Sequence, residues 1–536
     1  MPGWSFAATW EGIAREVPDR DALVCGDRHI SWGAFEERSA RLASHLWAEG
    51  VRPGDKVAID ATNRPEYLET FFAALRIGAA PVNVNYRYVA DEVRYVLENS
   101  GARAIVHDPA FAAAAAEALA QIDGSVVDGS VVDGSVTSLE TGSDYETALA
   151  AAERSGPWQD RAPDGDDLLL LYTGGTTGMP KGVMWRNDDL YRALWQMGRP
   201  NSEPPDPIDA ARAGKRTGTC LPACPLMHGT GLFIALSTLS GGGTVVLVDR
   251  VGLDAALLWD EVVAHDVAVL TIVGDVFARP LLDELEGHPD RWDLGALRAI
   301  TSSGVTWSPD VKAGLLAHVP HVTLIDSLGA SEGLMSRTAT RSDSDIRPAR
   351  FSVNDRVAVL SEGTGAPVAP GSDEVGLVAV TGPIPLGYHG DEEKTAATFR
   401  VVDGVRYSIP GDYATVDADG AIRLLGRGSA CINTGGEKVY PEEVELLLRE
   451  HPGVADCLVV GVPDDRFGEL VVALVVAGTG INGASFPDEI IEWCRGRLSG
   501  YKRPRHVVVL DTLDRSAAGK ADYRRLREVA RERVGG

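Results

Sequence analysis

The chain has 536 residues, more than one hydrophobic core normally supports, so two or more domains are expected. With 44% hydrophobic and 24% charged residues its composition is that of an ordinary globular protein, and a formal charge of −26 argues against nucleic acid as a partner. Any polyanion must therefore be gripped by local donors, local cations and a divalent metal rather than by the overall field. Six cysteines are sparse and irregularly placed, which suits a reducing compartment. The N-terminus shows no basic segment followed by an apolar one, and no stretch approaches about twenty apolar residues, so no transmembrane segment is expected and the protein is read as cytoplasmic.

The first hundred residues alternate amphipathic and apolar runs. Helices are predicted over residues 31–50, 65–77 and 91–99, and strands over 56–60, 81–84 and 103–107. Ser31 serves as an N-cap and Gly50 as a stop. The unit Asp-Gly-Ser-Val-Val repeats within residues 123–136, too few copies for a solenoid, and reads as an expanded surface turn. Residues 167–171 form a short apolar run, read as a buried strand, and residues 199–218 read as an exposed loop. Alternation resumes with strand 243–248, helix 254–265 and strand 267–273. The pattern is α/β: a large layered domain with mostly parallel sheets. After Leu425 the order changes to helix 441–451, strands 454–462 and 470–476, helix 487–498 and strand 506–510, a small α+β unit. The expected division is therefore 1–426, a hinge at 427–430 marked by Gly428 and Ser429, and 431–536.

The strand at 167–171 runs into Tyr172-Thr173-Gly174-Gly175-Thr176-Thr177-Gly178-Met179-Pro180-Lys181-Gly182. Three threonine hydroxyls, unhindered glycine amides and one lysine in a single loop make a phosphate cradle. The spacing is not the Walker form, since Met179 and Pro180 separate Gly178 from Lys181 and no hydroxyl residue follows the lysine. Cys220, Cys224 and His228 recur every four residues, but Pro222 and Pro225 break any helix that would align them, and a fourth ligand is missing.

The loop resembles the signature of the adenylate-forming enzymes, the superfamily of acyl-CoA synthetases, peptide-synthetase adenylation domains and firefly luciferase. Further segments match that superfamily in order. They are Pro225–Gly229 with His228, Ile300–Gly304, Asp326-Ser327-Leu328-Gly329-Ala330-Ser331-Glu332, Tyr407–Asp412, Gly426-Arg427, Gly435-Gly436-Glu437-Lys438 and Gly519-Lys520. The resemblance implies that His228 lies beside the acyl pocket and that Ser303 and Gly304 border the adenine and the substrate carboxylate. It also implies that the small domain turns after adenylation, presenting Gly435 and Gly436 to the pantetheine arm of CoA. Lys438 belongs to the same motif.

The chemistry asks for the same residue types. Attack of a carboxylate on the α-phosphate of ATP brings two anions together, so Mg²⁺ and a lysine must neutralise the added charge. Glu332 is the candidate Mg²⁺ ligand, and Lys520 the candidate bridge between carboxylate and α-phosphate. Asp412 can accept from both ribose hydroxyls and Arg427 can donate to ribose or phosphate. Asp326, Ser327, Leu328, Gly329 and Ser331 complete the nucleotide segment.

Three positions depart from the commonest superfamily pattern: Leu328 replaces an aromatic that faces adenine, Pro410 a threonine, and Ser429 a charged hinge residue. Together with Leu171–Arg186 and Lys394–Phe399, they are similar to the actinobacterial acyl-CoA synthetases of fatty acids and sterol side-chain acids. That likeness implies a bulky or long aliphatic acid, ATP and free CoA as substrates, and leaves a homodimer open. Handing the acyl group to a carrier protein, or a homologue that binds nucleotide without catalysis, are the alternatives.

Overall fold

The computed structural model describes the chain other than residues 1–2, 123–135, 174–178, 198, 200, 214–217, 305–306, 345, 347–348, 428–431, 435–436, 465–466, 482–484, 496, 499, 517–520 and 536. It divides into two compact units. One comprises Met1–Ala349, Thr381–Val401 and Arg406–Ser408, the other Arg350–Val380, Val402–Val405 and Ile409–Gly536.

Two sheets build the first unit. Starting from one edge, the eight-stranded sheet runs Gly333–Thr340, Thr323–Ala330, Ala299–Ser303, Val269–Ile272, Thr219–Pro222, Thr244–Val246, Asp21–Cys25 and Arg28–Ser31. Its inner pairs are parallel and only the two outermost strands are antiparallel to their neighbours. The seven-stranded sheet runs Gly387–Tyr388, Lys181–Arg186, Leu168–Thr173, Ala80–Asn83, Lys56–Asp60, Ala102–His107 and Thr137–Glu140. The predicted elements of the first hundred residues all form. Helix Trp32–Ala48 starts where the Ser31 hydroxyl accepts from the Ala34 amide at 3.2 Å. Helix Pro65–Ile77 begins with proline and ends at Gly78, whose φ of +80° a side chain would resist.

In the eight-stranded sheet, alternation decides which residues are buried. Leu270, Ile272, Ile300 and Leu324 face a core closed by helices Ala255–Ala264, Gly274–Gly287 and Pro309–His318. The opposite face is packed at strand Thr219–Pro222 by helix Gly229–Ser240, where the Thr238 hydroxyl meets Cys220. Residues 199–218 depart from a plain loop, because helix Pro207–Arg212 lies within them. Asp206 caps it, accepting from the Ile208 amide at 2.8 Å, and Pro207 supplies the first turn.

In the second unit, Phe351–Ser352, Ala421–Arg427, Asp412–Val416 and Gly376–Thr381 lie side by side, with Val357–Ser361 antiparallel to the last. The sequence reading gave no strands between residues 350 and 425. The predicted α+β segment follows: Val454–Asp464 and Gly468–Ala477 form a long hairpin, His506–Leu510 pairs parallel to it, and helices Pro441–Arg449, Phe486–Trp493 and Tyr523–Gly535 accompany it. The hairpin is apolar on both faces, with Cys457, Val459, Val471, Ala473 and Val475 in one core and Leu458, Val460, Val472 and Leu474 in another.

Candidate active site

The segment read as a phosphate cradle lies between two paired strands. Strands Leu168–Thr173 and Lys181–Arg186 pair antiparallel, with Thr173 directly opposite Lys181. The threonine and the lysine of the cradle therefore stand at its two rims, while Gly174, Gly175, Thr176, Thr177 and Gly178 lie outside the described residues. On the far side of strand Lys181–Arg186 sits Gly387–Tyr388, with Tyr388 opposite Val183. This neighbour completes a polar chain. The Lys181 ammonium donates to Asp391 at 2.7 Å and lies 5.8 Å from the centre of the Tyr388 ring. The Tyr388 hydroxyl in turn donates to Glu332 Oε1 at 2.7 Å. The hydrogen bond from Lys181 holds the Asp391 carboxyl below its ordinary range. Strand pairing thus brings Glu332 and Lys181, 151 positions apart in the chain by their numbers, to either side of one tyrosine.

Three further residues fix the frame. The Trp185 indole donates to the Ser331 carbonyl at 2.9 Å, which ties the Ser331-Glu332 corner to the strand that starts with Lys181. Asn83 is buried; its amide donates to the carbonyls of Tyr172 at 2.9 Å and Met227 at 2.6 Å, and its oxygen accepts from the Tyr172 amide at 2.6 Å. Asn63, also buried, donates to Pro222 and Cys224 carbonyls and accepts from the Leu226 amide. Together the two asparagines hold the segment that delivers His228 to the start of helix Gly229–Ser240. None of Asn63, Asn83, Trp185 or Tyr388 emerged from sequence reasoning.

Ser303 and Gly304 end the third strand of the eight-stranded sheet, where Gly304 adopts a φ of +87°. Ligands of parallel sheets bind beyond such carboxyl ends. Below them the frame is rigid: the Ser302 hydroxyl accepts from the Gly274 amide at 2.8 Å, and Asp275 accepts from the Ser308 amide at 2.9 Å. Asp326 and Ser327 point to opposite faces of the next strand. Asp326 is buried and bonded at 2.8 Å to Lys312, a lysine with no exposed surface. Burial pushes the Asp326 carboxyl above its ordinary range against the opposing pull of Lys312. Asp326 is thus committed to the frame, whereas Ser327, Leu328, Gly329, Ser331 and Glu332 keep part of their surface. Leu328 stands at a bulge, the register shifting between it and Gly329.

In the second unit Asp412 and Arg427 are direct cross-strand partners, and Gly426 faces Tyr413 with a φ of +108°. A side chain at Gly426 would collide with the carboxylate of Glu442. Glu442 is enclosed, so burial and the neighbouring acids Glu445 and Asp412 push its carboxyl upward. Lys438 pairs with Asn433 in a short hairpin; Gly435, Gly436 and Ser429 lie outside the described residues. So does Lys520, but the segment before it is anchored: Arg515 donates to both Asp456 oxygens, at 2.7 and 2.9 Å, and to the Cys457 carbonyl.

Glu332 has one oxygen taken by Tyr388, and among the described residues no group of three or more His, Cys, Asp or Glu is placed to hold a metal. This donor set suits Mg²⁺ carried in on phosphate, which takes one or two protein carboxylates and keeps its remaining positions for phosphate and water. No helix among the described residues is long and apolar enough to cross a membrane.

Comparison with known proteins agrees with this geometry. Residues 10–389 match the model of the AMP-binding enzyme family, and residues 443–520 that of the AMP-binding enzyme C-terminal domain. A 3-oxocholest-4-en-26-oate–CoA ligase of Rhodococcus rhodochrous is 41% identical over 95% of this chain and 92% of its own length. A medium/long-chain-fatty-acid–CoA/3-oxocholest-4-en-26-oate–CoA ligase of Mycobacterium marinum is 40% identical over 96% of this chain and 94% of its own. Among solved structures, ATP-bound MatB from Rhodopseudomonas palustris superposes with a TM-score of 0.80 at 27% identity, covering 98% of this chain and 99% of that one. The anthranilate CoA ligase AuaEII, at 21% identity, shares the fold with a TM-score of 0.84, covering 100% of this chain and 99% of its own. The ordered motifs and these matches make the chain a member of the AMP-binding enzyme family and an AMP-forming acyl-CoA ligase.

Proposed function

We propose that the enzyme activates a bulky aliphatic, branched or sterol side-chain carboxylic acid as its acyl-adenylate, with Mg²⁺ and pyrophosphate release, and passes the acyl group to free CoA in the cytoplasm. The observation that carries the reading is the polar chain Asp391–Lys181–Tyr388–Glu332, which sets a cation and a hard carboxylate at the phosphate hairpin. When bound with ATP, the metal supplies charge neutralisation at the phosphates. The chain's own residues do the rest. Thr173, Thr176, Thr177, the hairpin glycines and Lys181 hold the β- and γ-phosphates that depart together. Glu332, its orientation fixed by Tyr388, is the carboxylate offered to the metal. Ser303, Gly304 and Leu328 border the adenine, and Asp412 and Arg427 serve the ribose. Lys520 follows the bond being made between carboxylate oxygen and phosphorus, while Gly435, Gly436 and Lys438 belong to the thioester step. His228 lies beside the acyl group. The acid class rests on the two ligases at about 40% identity, which are named for 3-oxocholest-4-en-26-oate and for medium- to long-chain fatty acids.

The test is a panel of fatty, branched, aryl and sterol side-chain acids with ATP and Mg²⁺, with and without CoA, products identified by mass spectrometry. Lys520→Ala is expected to abolish AMP formation from acid yet still convert supplied acyl-adenylate and CoA to thioester. Acyl-adenylate that never becomes thioester in the parent protein would favour a carrier-protein acceptor, and equal loss of both half-reactions in the variant would remove Lys520 from its assigned step.

A further inference from the structure

Beyond Ser303 and Ser327, the eight-stranded sheet carries a polar surface toward its edge strand that the chemistry described so far leaves unused. Residues paired across neighbouring strands share one face. Ser303 pairs with Ser327, and Ser327 with Arg337 on the edge strand Gly333–Thr340. The next row back is Thr271, Thr301, Ile325 and Ala339, in which the two threonine hydroxyls are hydrogen-bonded at 2.9 Å. This is the face that helix Gly229–Ser240, opened by His228, covers at strand Thr219–Pro222. Toward the edge it is left partly open: Thr301, Ser303, Ile325 and Ser327 are half-buried and Arg337 and Ala339 exposed. The other face, with Ile300, Ser302, Leu324 and Asp326, is closed.

A surface built only for hydrocarbon would be apolar. This one offers hydroxyls and a guanidinium. Arg337 has no carboxylate partner among the described residues; the charge acting on it is a second cation, Arg199, which lies over the Trp195 ring at 4.3 Å. Part of the Arg337 side chain stays exposed, while the protein atoms crowding its guanidinium, and the Arg199 charge, hold that group below its ordinary range. In a chain with 77 acidic and 51 basic residues, an arginine at this edge that feels a second cation and has no carboxylate partner among the described residues keeps its donors available to an oxygen acceptor.

We propose that Arg337, supported by Arg199, determines specificity by receiving an acceptor oxygen, keto or carboxylate, on the part of the acid remote from the carboxyl group being activated. Arg337 stands two strand spacings from Ser303, roughly 10 Å, so the oxygen belongs to the far end of a medium-length chain or of a fused-ring skeleton. The proposal rests on the acid-activating reading above and on Ser303 as the border of the reacting carboxylate.

Three acids of one length, ending in methyl, methyl ketone or carboxylate, separate the outcomes. Thioester formation is measured for each with the parent, Arg337→Met and Arg199→Met, alongside KM for ATP and a melting curve. In Arg337→Met the ratio of kcat/KM for an oxygen-bearing acid to that for the methyl acid is expected to fall about tenfold to hundredfold, the loss of one charged hydrogen bond, while KM for ATP moves less than about twofold. Whether the keto or the dicarboxylic acid shows the fall identifies the oxygen. An unchanged ratio, or equal losses on all three acids, overturns the proposal. Should Arg337→Met fail to fold, Arg199→Met decides on the same ratio, with a smaller fall expected. If the parent forms AMP with these and every other acid at comparable rates, the proposal alone fails; if it forms none with any acid, the ligase reading fails and the proposal with it.

Discussion

Replacing Lys312 by methionine tests how the nucleotide end of the eight-stranded sheet is held. Lys312 has no exposed surface and its ammonium bonds Asp326 at 2.8 Å, with the Trp307 ring centre 5.6 Å away. Lys312→Met keeps an unbranched apolar stem one atom shorter and leaves Asp326 as a buried, unpaired carboxylate, a change that costs about 3–5 kcal/mol in comparable sites. For a unit of roughly 370 residues the unfolding entropy at ~2.1 cal/mol/K per residue makes that a drop of about 4–6 °C in melting temperature. Asp326 is already pushed upward by burial, and losing Lys312 pushes it further. The folded variant then binds a proton that the unfolded chain releases, so its stability falls as pH rises from the ordinary carboxylate range through the raised pKa. The deficit relative to the parent should be larger at pH 8 than at pH 5. The double variant Lys312→Met with Asp326→Leu removes both charges and should recover most of the loss. Differential scanning calorimetry across that pH range measures all three proteins. A single variant that melts within about 1 °C of the parent at pH 8, or a double variant no better than the single, would refute the reasoning.

Two other substitutions probe the site directly. Tyr388→Phe removes the hydrogen bond to Glu332; a bond to a charged group is worth about 1.5–3 kcal/mol, so the Mg²⁺ and ATP concentrations giving half-maximal pyrophosphate release should rise about tenfold to hundredfold, and an unchanged Mg²⁺ dependence would dismiss the role. Gly426→Ala strains a φ of +108° and displaces the buried Glu442 carboxylate, an expected loss of about 2–4 kcal/mol in denaturant unfolding. Adding Glu442→Ala should restore the part due to the collision.

The parts of the enzyme legible in the sequence are those whose signal is local. Helix Pro65–Ile77, strand Lys56–Asp60 and strand His506–Leu510 carry their own periodicity and caps and form where expected. The candidate phosphate loop stood out because it gathers glycines, threonines and one lysine between two strands. Asn83 gave no such sign. It reads as one polar residue in an apolar strand, and its meaning appears only when partners 89 and 144 residues away arrive. Tyr388 was hidden for the same reason, since its partner Glu332 is 56 residues distant. The antiparallel strands between residues 350 and 425 are short and separated by frequent turns such as Pro370-Gly371, Asp403-Gly404 and Asp419-Gly420, so period-2 patterning had little length in which to show. Lys520 is the reverse case, assigned from its motif alone and lying outside the described residues.

Among the described residues, the edge strand Gly333–Thr340 has a neighbour on one side only, Thr323–Ala330. A substitution there disturbs a single seam, while the phosphate hairpin stays clamped by Asn83 to a strand inside the other sheet. Appetite for new acids can therefore drift, in nature or in a directed-evolution library, at Arg337 and Ala339 without retuning the machinery that handles ATP. A library confined to the exposed side of this one strand is the economical place to look for changed selectivity.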